Sequence, residues 1–179
     1  MALPVPLAND LCLTAGHQGP LSALHLARQR IASGEWQRAI VLSIDSLMDE
    51  ASLRWLQANG RLKTPEYPVG LIPGEAAACL LVEGTRRAQC KVEAVLESCA
   101  LASSPGRALS AVQHGIVLSD TVAEALVAGA RTGGIGDILG NLNGEEHRAM
   151  AWGTARVRIQ RQALAENPRE TWPVWPWGM

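Results

Sequence analysis

The chain has no phenylalanine and one tyrosine, so its aromatic content rests on six tryptophans. It has no excess of either charge: 16 Lys and Arg stand against 17 Asp and Glu, mixed along the chain rather than gathered in a stripe. That balance argues against a nucleic-acid binder, which needs a basic face. No apolar run is long enough to cross a bilayer, so no membrane partner is expected. The opening residues, MALPVPLAND, lack the basic start and apolar run of a secretory signal, and we expect a cytoplasmic protein. No Gly-rich phosphate loop or dinucleotide fingerprint is present, so no nucleotide cofactor is implied. The four cysteines, Cys12, Cys79, Cys90 and Cys99, form no Cys-x-x-Cys pair and have no His at zinc-finger spacing, so no metal is implied either. Three of them lie in apolar, strand-like runs and read as buried free thiols in a reducing compartment.

What is present is enough for a folded domain. With 179 residues and 47% apolar content, the chain can build one sizeable core or two small lobes sharing one. Residues 11–14 read as a short buried strand leading into a Gly16-His17-Gln18-Gly19 turn. Leu21, Ala23, Leu24, Ala27 and Ile31 fall at helical spacing over residues 21–32, with Pro20 in the first turn and Gly34 as the stop. Residues 39–44 form a continuous β-branched run, typical of a strand buried on both faces. Ser46 or Asp49 then caps a helix reaching about Gln57.

After a Pro/Gly loop, residues 76–83 and 90–101 read as strands, 110–130 as a helix, 135–142 as a strand and 145–159 as a helix. Strands alternating with helices indicate an α/β fold with a largely parallel or mixed sheet and helices packed on it. The polar break at residues 103–107 divides the chain. Residues 1–102 form an N-terminal lobe and 108–160 a second lobe. Residues 161–179 form a Trp/Pro-rich tail, and the three are read as parts of one compact unit.

Three blocks carry a resemblance. LTAGHQGPLSALHLARQRIASGEWQRAIVLSIDSL, GLIPGEAAACLLVE and NLNGEEHRAMAWGTARVR occur in that order. They resemble, in order and spacing, the nucleophile-elbow region, the Pro-Gly-Glu-x-Ala segment and a later Asn-Gly-Glu segment of the β-ketoacyl-acyl-carrier-protein synthases. These enzymes belong to the thiolase-fold superfamily. The resemblance covers most of residues 11–158 and implies a partial thiolase-like fold, a central slice of a full synthase. It also places His17 where that family keeps its nucleophilic cysteine.

The departures bear on activity. The family's later His-containing loop corresponds approximately to Asn141-Leu142-Asn143-Gly144, which has no imidazole, and its Lys-containing segment with a second His has no counterpart here. Condensation needs a thiolate that forms a stable thioester, and donors for the developing oxyanion. An acyl-imidazole hydrolyses readily and is a poor carrier. His17 is therefore expected to be a vestigial position, a turn residue or a filler of the vacated pocket. His25, His114 and His147 lie on no motif position. Cys12, five residues before His17, reads as an inert strand thiol. Glu75 reads as a loop or helix-end hydrogen bonder, and Asp45 and Ser46 as strand-end capping residues.

A slice of a layered fold exposes surface that other parts would cover. The expected partners are thus a second copy or another protein, with the edge at residues 11–14 as the dimer edge. Trp172, Trp175 and Trp177, spaced by Pro173 and Pro176, suit an extended segment. They either anchor in a partner's groove or fold back over the chain's own sheet. The resemblance implies a catalytically inactive accessory, adaptor or chaperone-like protein, and degenerate thiolase-like proteins of this kind occur in bacterial type VI secretion clusters. The alternative is a subunit of a 3-oxoacyl-acyl-carrier-protein synthase in fatty-acid or polyketide synthesis, with acyl carrier protein as partner.

Overall fold

The computed structural model of the chain describes residues 11–85, 91–103, 109–129, 140 and 142–166. It is a mixed α/β arrangement. A 3-10 turn at Gly16–Gln18 leads into α1 (Gly19–Ala32), β1 (Arg38–Ser46), α2 (Glu50–Ala58), β2 (Glu75–Glu83), α3 (Ala111–Gly129) and α4 (Glu146–Glu166). The chain divides into two compact units. One holds Met1–Ser43 and Ala77–Val95, the other Ile44–Ala76 and Leu96–Met179. None of the helices is long and apolar enough to cross a membrane among the described residues.

In the first unit, α1 forms as the spacing predicts, with Pro20 in its first turn, where a missing N–H leaves nothing unsatisfied. It stops at Ser33, whose N–H donates to Gln29 O at 2.9 Å, and Gly34 then turns the chain at φ 79°. The Trp36 N–H donates to Arg30 O at 3.0 Å, and an Arg30–Glu35 ion pair closes the same turn. β1 and β2 form a two-stranded sheet. Arg38 at the start of β1 meets Glu83 at the end of β2 (3.4 Å), so the strands run antiparallel.

The expected mixed sheet is therefore antiparallel and two-stranded among the described residues. Residues 11–14 have no strand structure and are exposed, and the described residues of 90–101 form no strand either. Both runs have apolar residues at strand-like density, but no neighbouring strand takes up their backbone groups among the described residues. The burial expected for β1 is corrected too. Val41 is buried, while Ile40, Leu42 and Ile44 on the opposite face are 56%, 61% and 72% exposed. Cys12 and Cys79 are exposed and Cys99 half-buried, for the same reason: the segments holding them are not enclosed. Cys90, the expected strand at 135–142 except Gly140 and Leu142, and most of the break at 103–107 lie outside the described residues.

In the second unit, Asp49 is the cap of α2. Its carboxylate accepts the Ser52 N–H at 2.9 Å, which holds it below the usual carboxylate range. Leu56 is the buried anchor of α2. α3 and α4 pack through small residues. A Cβ on Gly115 would lie 2.5 Å from both Ala151 O and Thr154 Cβ, so the helices touch there backbone to backbone. One turn further on, the buried Ser119 hydroxyl donates to Ile116 O (2.7 Å) and accepts from Arg158 Nε (2.7 Å). Arg158 Nη2 reaches Asp120 Oδ1 at 2.9 Å. These contacts rise together along both helices, so α3 and α4 pack with the same sense. Ala151, Ala155 and Ile159 fill the seam.

Two glycines test this packing in opposite directions. Gly115→Ala is expected to destabilise the protein by about 1–3 kcal/mol through overpacking, although alanine favours a free helix by about 1 kcal/mol. Gly153→Ala, on an exposed part of α4 with nothing within 4 Å of the new Cβ, should stabilise it by about 0.5–1 kcal/mol. Urea denaturation of both variants checks the pair.

Candidate functional site

The turn that carries His17 begins at Gly16, whose φ of 53° lies in the left-handed region that an L side chain rarely adopts. The Gln18 N–H donates to Ala15 O at 3.2 Å, closing the 3-10 turn, and α1 starts one residue later. His17 is the central residue of this turn. Of the expected strand–turn–helix order the turn and the helix are present, but the segment feeding them is not a strand. Cys12, five residues upstream, is exposed. His25 is half-buried in α1, while His114 on α3 and His147 on α4 are exposed.

The second and first motif blocks are joined by hydrogen bonds within the second unit. Ser46 Oγ donates to Glu75 Oε2 at 3.2 Å and accepts the Met48 N–H at 3.3 Å, while the Leu47 N–H donates to Gly74 O at 3.0 Å. Ser46 is therefore not the helix cap, a role Asp49 takes. It ties the end of β1 to the start of β2, and Glu75 accepts that hydrogen bond from the first position of a strand rather than from the expected loop or helix end.

The most elaborately built polar centre surrounds Glu145, a residue of the third motif block that its sequence context alone does not single out. Its carboxylate is 7% exposed and receives Arg61 Nε on Oε1 (2.6 Å) and Arg61 Nη2 on Oε2 (3.0 Å). Asn143 Nδ2 adds a third donor at 2.7 Å, and Arg148 Nε lies 3.4 Å away. The Glu145 N–H donates back to Asn143 Oδ1 (3.2 Å), and the Glu145 carbonyl accepts the Arg148 and Ala149 N–H groups that open α4. Arg61 is aimed by its own surroundings. Its guanidinium lies 5.2 Å from the centre of the Trp55 ring, and its N–H donates to Leu56 O at the end of α2.

Two glycines bring the segments together. Gly144 sits at φ 92°, and a Cβ there would collide with the Gly70 carbonyl oxygen. A Cβ on Gly70 would lie 2.8 Å from Lys63 N and 2.9 Å from Arg61 O. Leu71 N–H donates to Arg61 O and Lys63 N–H to Leu71 O, both at 2.9 Å, so the 61–71 loop is closed on itself beneath the Asn143-Gly144-Glu145 turn. No single residue in the sequence announces this centre. The one available signal is an Asn-Gly-Glu turn directly before a helix, and its partner lies 84 positions away.

The hydrogen bonds from Arg61, reinforced by Asn143 and the neighbouring positive charges, pull the Glu145 carboxyl down to about 2 against partial desolvation. The same carboxylate raises the Arg61 guanidinium above its ordinary value. A carboxylate held ionised, with its oxygens filled by donors, cannot trade protons near neutrality, so this is a structural clasp. Among the described residues no three His, Cys, Asp or Glu side chains gather in a way that could hold a metal ion. Trp172, Trp175 and Trp177 lie outside the described residues. Compared with known protein families, curated proteins and solved structures, the chain finds no match in any of the three.

The clasp has a defined acid response. Glu145 binds its proton more readily in the unfolded chain (ordinary value 4.5) than in the folded one (about 2). Its stabilisation, about 3 kcal/mol at 1.36 kcal/mol per pKa unit, is fully present above pH 4.5 and is lost as the pH falls to about 2. Glu145→Gln should lower stability at pH 7 by about 3–5 kcal/mol and flatten the stability profile across that acid window. Denaturation of both proteins at a series of pH values measures this.

Proposed function

We propose that this protein is a catalytically inactive, thiolase-like protein of synthase ancestry that acts through protein–protein contacts, as an accessory, adaptor or chaperone-like subunit. The observation that carries this reading is the uncovered apolar surface of the sheet. Ile40, Leu42 and Ile44 lie along one face of β1, and Leu81 of β2, on the same face, is about half exposed. Among the described residues the buried apolar side chains are Ala27, Val41, Leu56, Leu71, Ala151, Ala155 and Ile159, three of them alanines. Contiguous apolar surface of this kind is a feature of proteins that bind others.

The site chemistry points the same way. Acyl transfer by the mechanism of the resembling synthases requires a thiolate at the turn, and the turn has an imidazole-bearing residue, His17. The acidic residues of the other two motif blocks that resemble synthase motifs, Glu75 and Glu145, are both engaged in structural hydrogen bonds. The three motif blocks, read as parts of one partial thiolase-like fold, fit an α/β arrangement in which β1 follows the turn helix and pairs antiparallel with the Pro-Gly-Glu strand. An accessory role beside a bacterial type VI secretion machine is the setting that the resemblance suggests.

Incubation with malonyl- and acyl-acyl-carrier-protein thioesters, followed by intact-mass spectrometry, tests the reading. The expected result is an unmodified protein and no release of carbon dioxide. His17→Cys is expected to gain an alkylatable thiol without gaining condensation, because the later imidazoles have no counterpart in the matching motif positions. Malonyl decarboxylation or an acyl adduct on the unaltered protein would establish the rival reading, a synthase subunit.

A further inference from the structure

We propose that Asn143 is a site of spontaneous deamidation, guarded while the Arg61–Glu145 clasp is closed, and that the acid it becomes keeps the clasp from closing again. The modification concerns the clasp alone and is independent of the interaction reading.

The chemistry begins in the sequence. An asparagine side chain is attacked by the backbone nitrogen of the residue that follows, and a glycine there has no side chain to hinder the approach. Asparagine is accordingly one of the thermolabile residues. Two of the five asparagines precede glycine, Asn59-Gly60 and Asn143-Gly144. Each pair stands directly before one charge of the clasp, Arg61 in the first case and Glu145 in the second. The reaction balances with water as its one co-reactant. The Gly144 nitrogen forms a bond to Asn143 Cγ, the Cγ–Nδ2 bond breaks, and Nδ2 leaves as ammonia with the proton from the Gly144 nitrogen. Water then opens the cyclic imide at either carbonyl, giving aspartate or isoaspartate. No electrons are transferred.

The two steps differ in what holds them. Asn59 is exposed at the end of α2, with Nδ2 donating to Trp55 O at 2.8 Å and the Gly60 N–H to Gln57 O at 3.1 Å. Helix ends fray, so these bonds open readily. Asn143 is half-buried and held at both polar atoms of its amide. Nδ2 donates to Glu145 Oε2 at 2.7 Å, and Oδ1 accepts the Glu145 N–H at 3.2 Å. The backbone is fixed as well, since Gly144 sits at φ 92° against the Gly70 carbonyl. Swinging Asn143 Cγ onto the Gly144 nitrogen therefore requires the clasp to open. Gly144 itself is exposed, so water for the second step is at hand.

The product reverses the local electrostatics. Where Nδ2 donated to Glu145, a carboxylate oxygen now stands, and an aspartate is ionised at neutral pH. A hydrogen bond of 2.7 Å is exchanged for a like charge beside a carboxylate that is 7% exposed. Isoaspartate goes further, because it adds a backbone atom to a turn with no room between Gly144 and the Gly70 carbonyl. Each opening that ends in reaction is thus recorded in the chain.

The experiment ages the full chain in mildly alkaline buffer, folded and in urea, and follows both Asn-Gly steps by peptide-mapping mass spectrometry. In urea the two steps should react at matching rates. In the folded protein Asn143 should react more than about tenfold slower than in urea, because reaction there awaits local opening. Glu145→Gln, shown to be folded by circular dichroism, should speed the reaction at Asn143 by more than about tenfold over the unaltered folded protein. A second measurement does not depend on Glu145→Gln folding. Asn143→Asp copies the product and should lower the urea midpoint, and the deamidated protein isolated by ion exchange should show a midpoint at least as low. Equal rates at Asn143 in folded and denatured protein overturn the guard. So does a folded Glu145→Gln variant that reacts no faster than the unaltered protein. An Asn143→Asp midpoint at or above that of the unaltered protein overturns the claim that the product holds the clasp open.

Discussion

The Arg61–Glu145 ion pair is the constraint on which most of the second unit's irregular backbone depends. Taking a carboxylate and a guanidinium out of water costs several kcal/mol per ion, and their attraction offsets that only when the remaining hydrogen-bonding capacity is also filled. Here it is filled on the acid side. Two guanidinium nitrogens and the Asn143 amide all donate to Glu145. The loop carrying Arg61 and the turn carrying Glu145 must therefore meet at one geometry. Gly70 and Gly144 supply the backbone contact that makes the geometry attainable, since no side chain fits between them. Removing Arg61 leaves the buried Glu145 carboxylate with only Asn143 and the longer contact to Arg148, whereas removing Glu145 leaves a guanidinium that is one-third exposed, so the two deletions are not equivalent.

The two halves of the second unit's stabilisation differ in kind. The clasp holds loops by charge and hydrogen bonding, whereas α3 and α4 are held by close approach of small residues, with Ser119 and Arg158 satisfying each other inside the seam. Close backbone approach maximises dispersion contacts but buries little apolar side-chain area. The larger apolar residues of these helices, Val112, Val127, Met150 and Val157 among them, remain exposed. Fully burying one such side chain is worth about 1.5–3 kcal/mol, so the described chain leaves much of its hydrophobic stabilisation unrealised. Because Val112, Met150 and Val157 are each about half exposed, covering one would add roughly half that amount, and covering several would add a few kcal/mol.

Local structure is legible in this sequence, and strand pairing is not. Helical spacing with Pro20 and Gly34 at the ends locates α1, the Asp49 cap locates α2, β-branched density locates β1, and an apolar run after the Pro/Gly loop locates β2. Each of those features acts within a few residues, through caps, φ preferences or side-chain crowding. Residues 11–14 and 90–101 have the same apolar density, yet become strands only if a neighbour accepts their backbone groups, and that depends on distant parts of the chain. The expected burial of β1 fails for the same reason: a run with apolar residues on both faces says that both are able to be covered, not that they are. The Glu145 clasp is invisible in the sequence for a different reason. Arg61 stands in an ordinary helix-end context and Glu145 among two other charged residues, and only the folded chain selects this pair from the alternatives.

These two kinds of legibility bear on how the motif blocks are to be understood. In a working acyl-transfer centre, the polar groups at the reaction locus keep unfilled hydrogen-bonding capacity aimed at where charge develops. Around the described motif residues here, capacity is being used up. Ser46 donates to Glu75, and the Glu145 oxygens are occupied by Arg61 and Asn143. A carboxyl pulled down to about 2 has lost its use as a proton donor or acceptor in neutral solution, whatever its ancestry. Meanwhile one apolar face of β1, Ile40, Leu42 and Ile44, is exposed. The described acidic motif residues Glu75 and Glu145 are thus engaged in structural hydrogen bonds while Ile40, Leu42 and Ile44 of β1 stay exposed, and the proposed contact role rests on that combination.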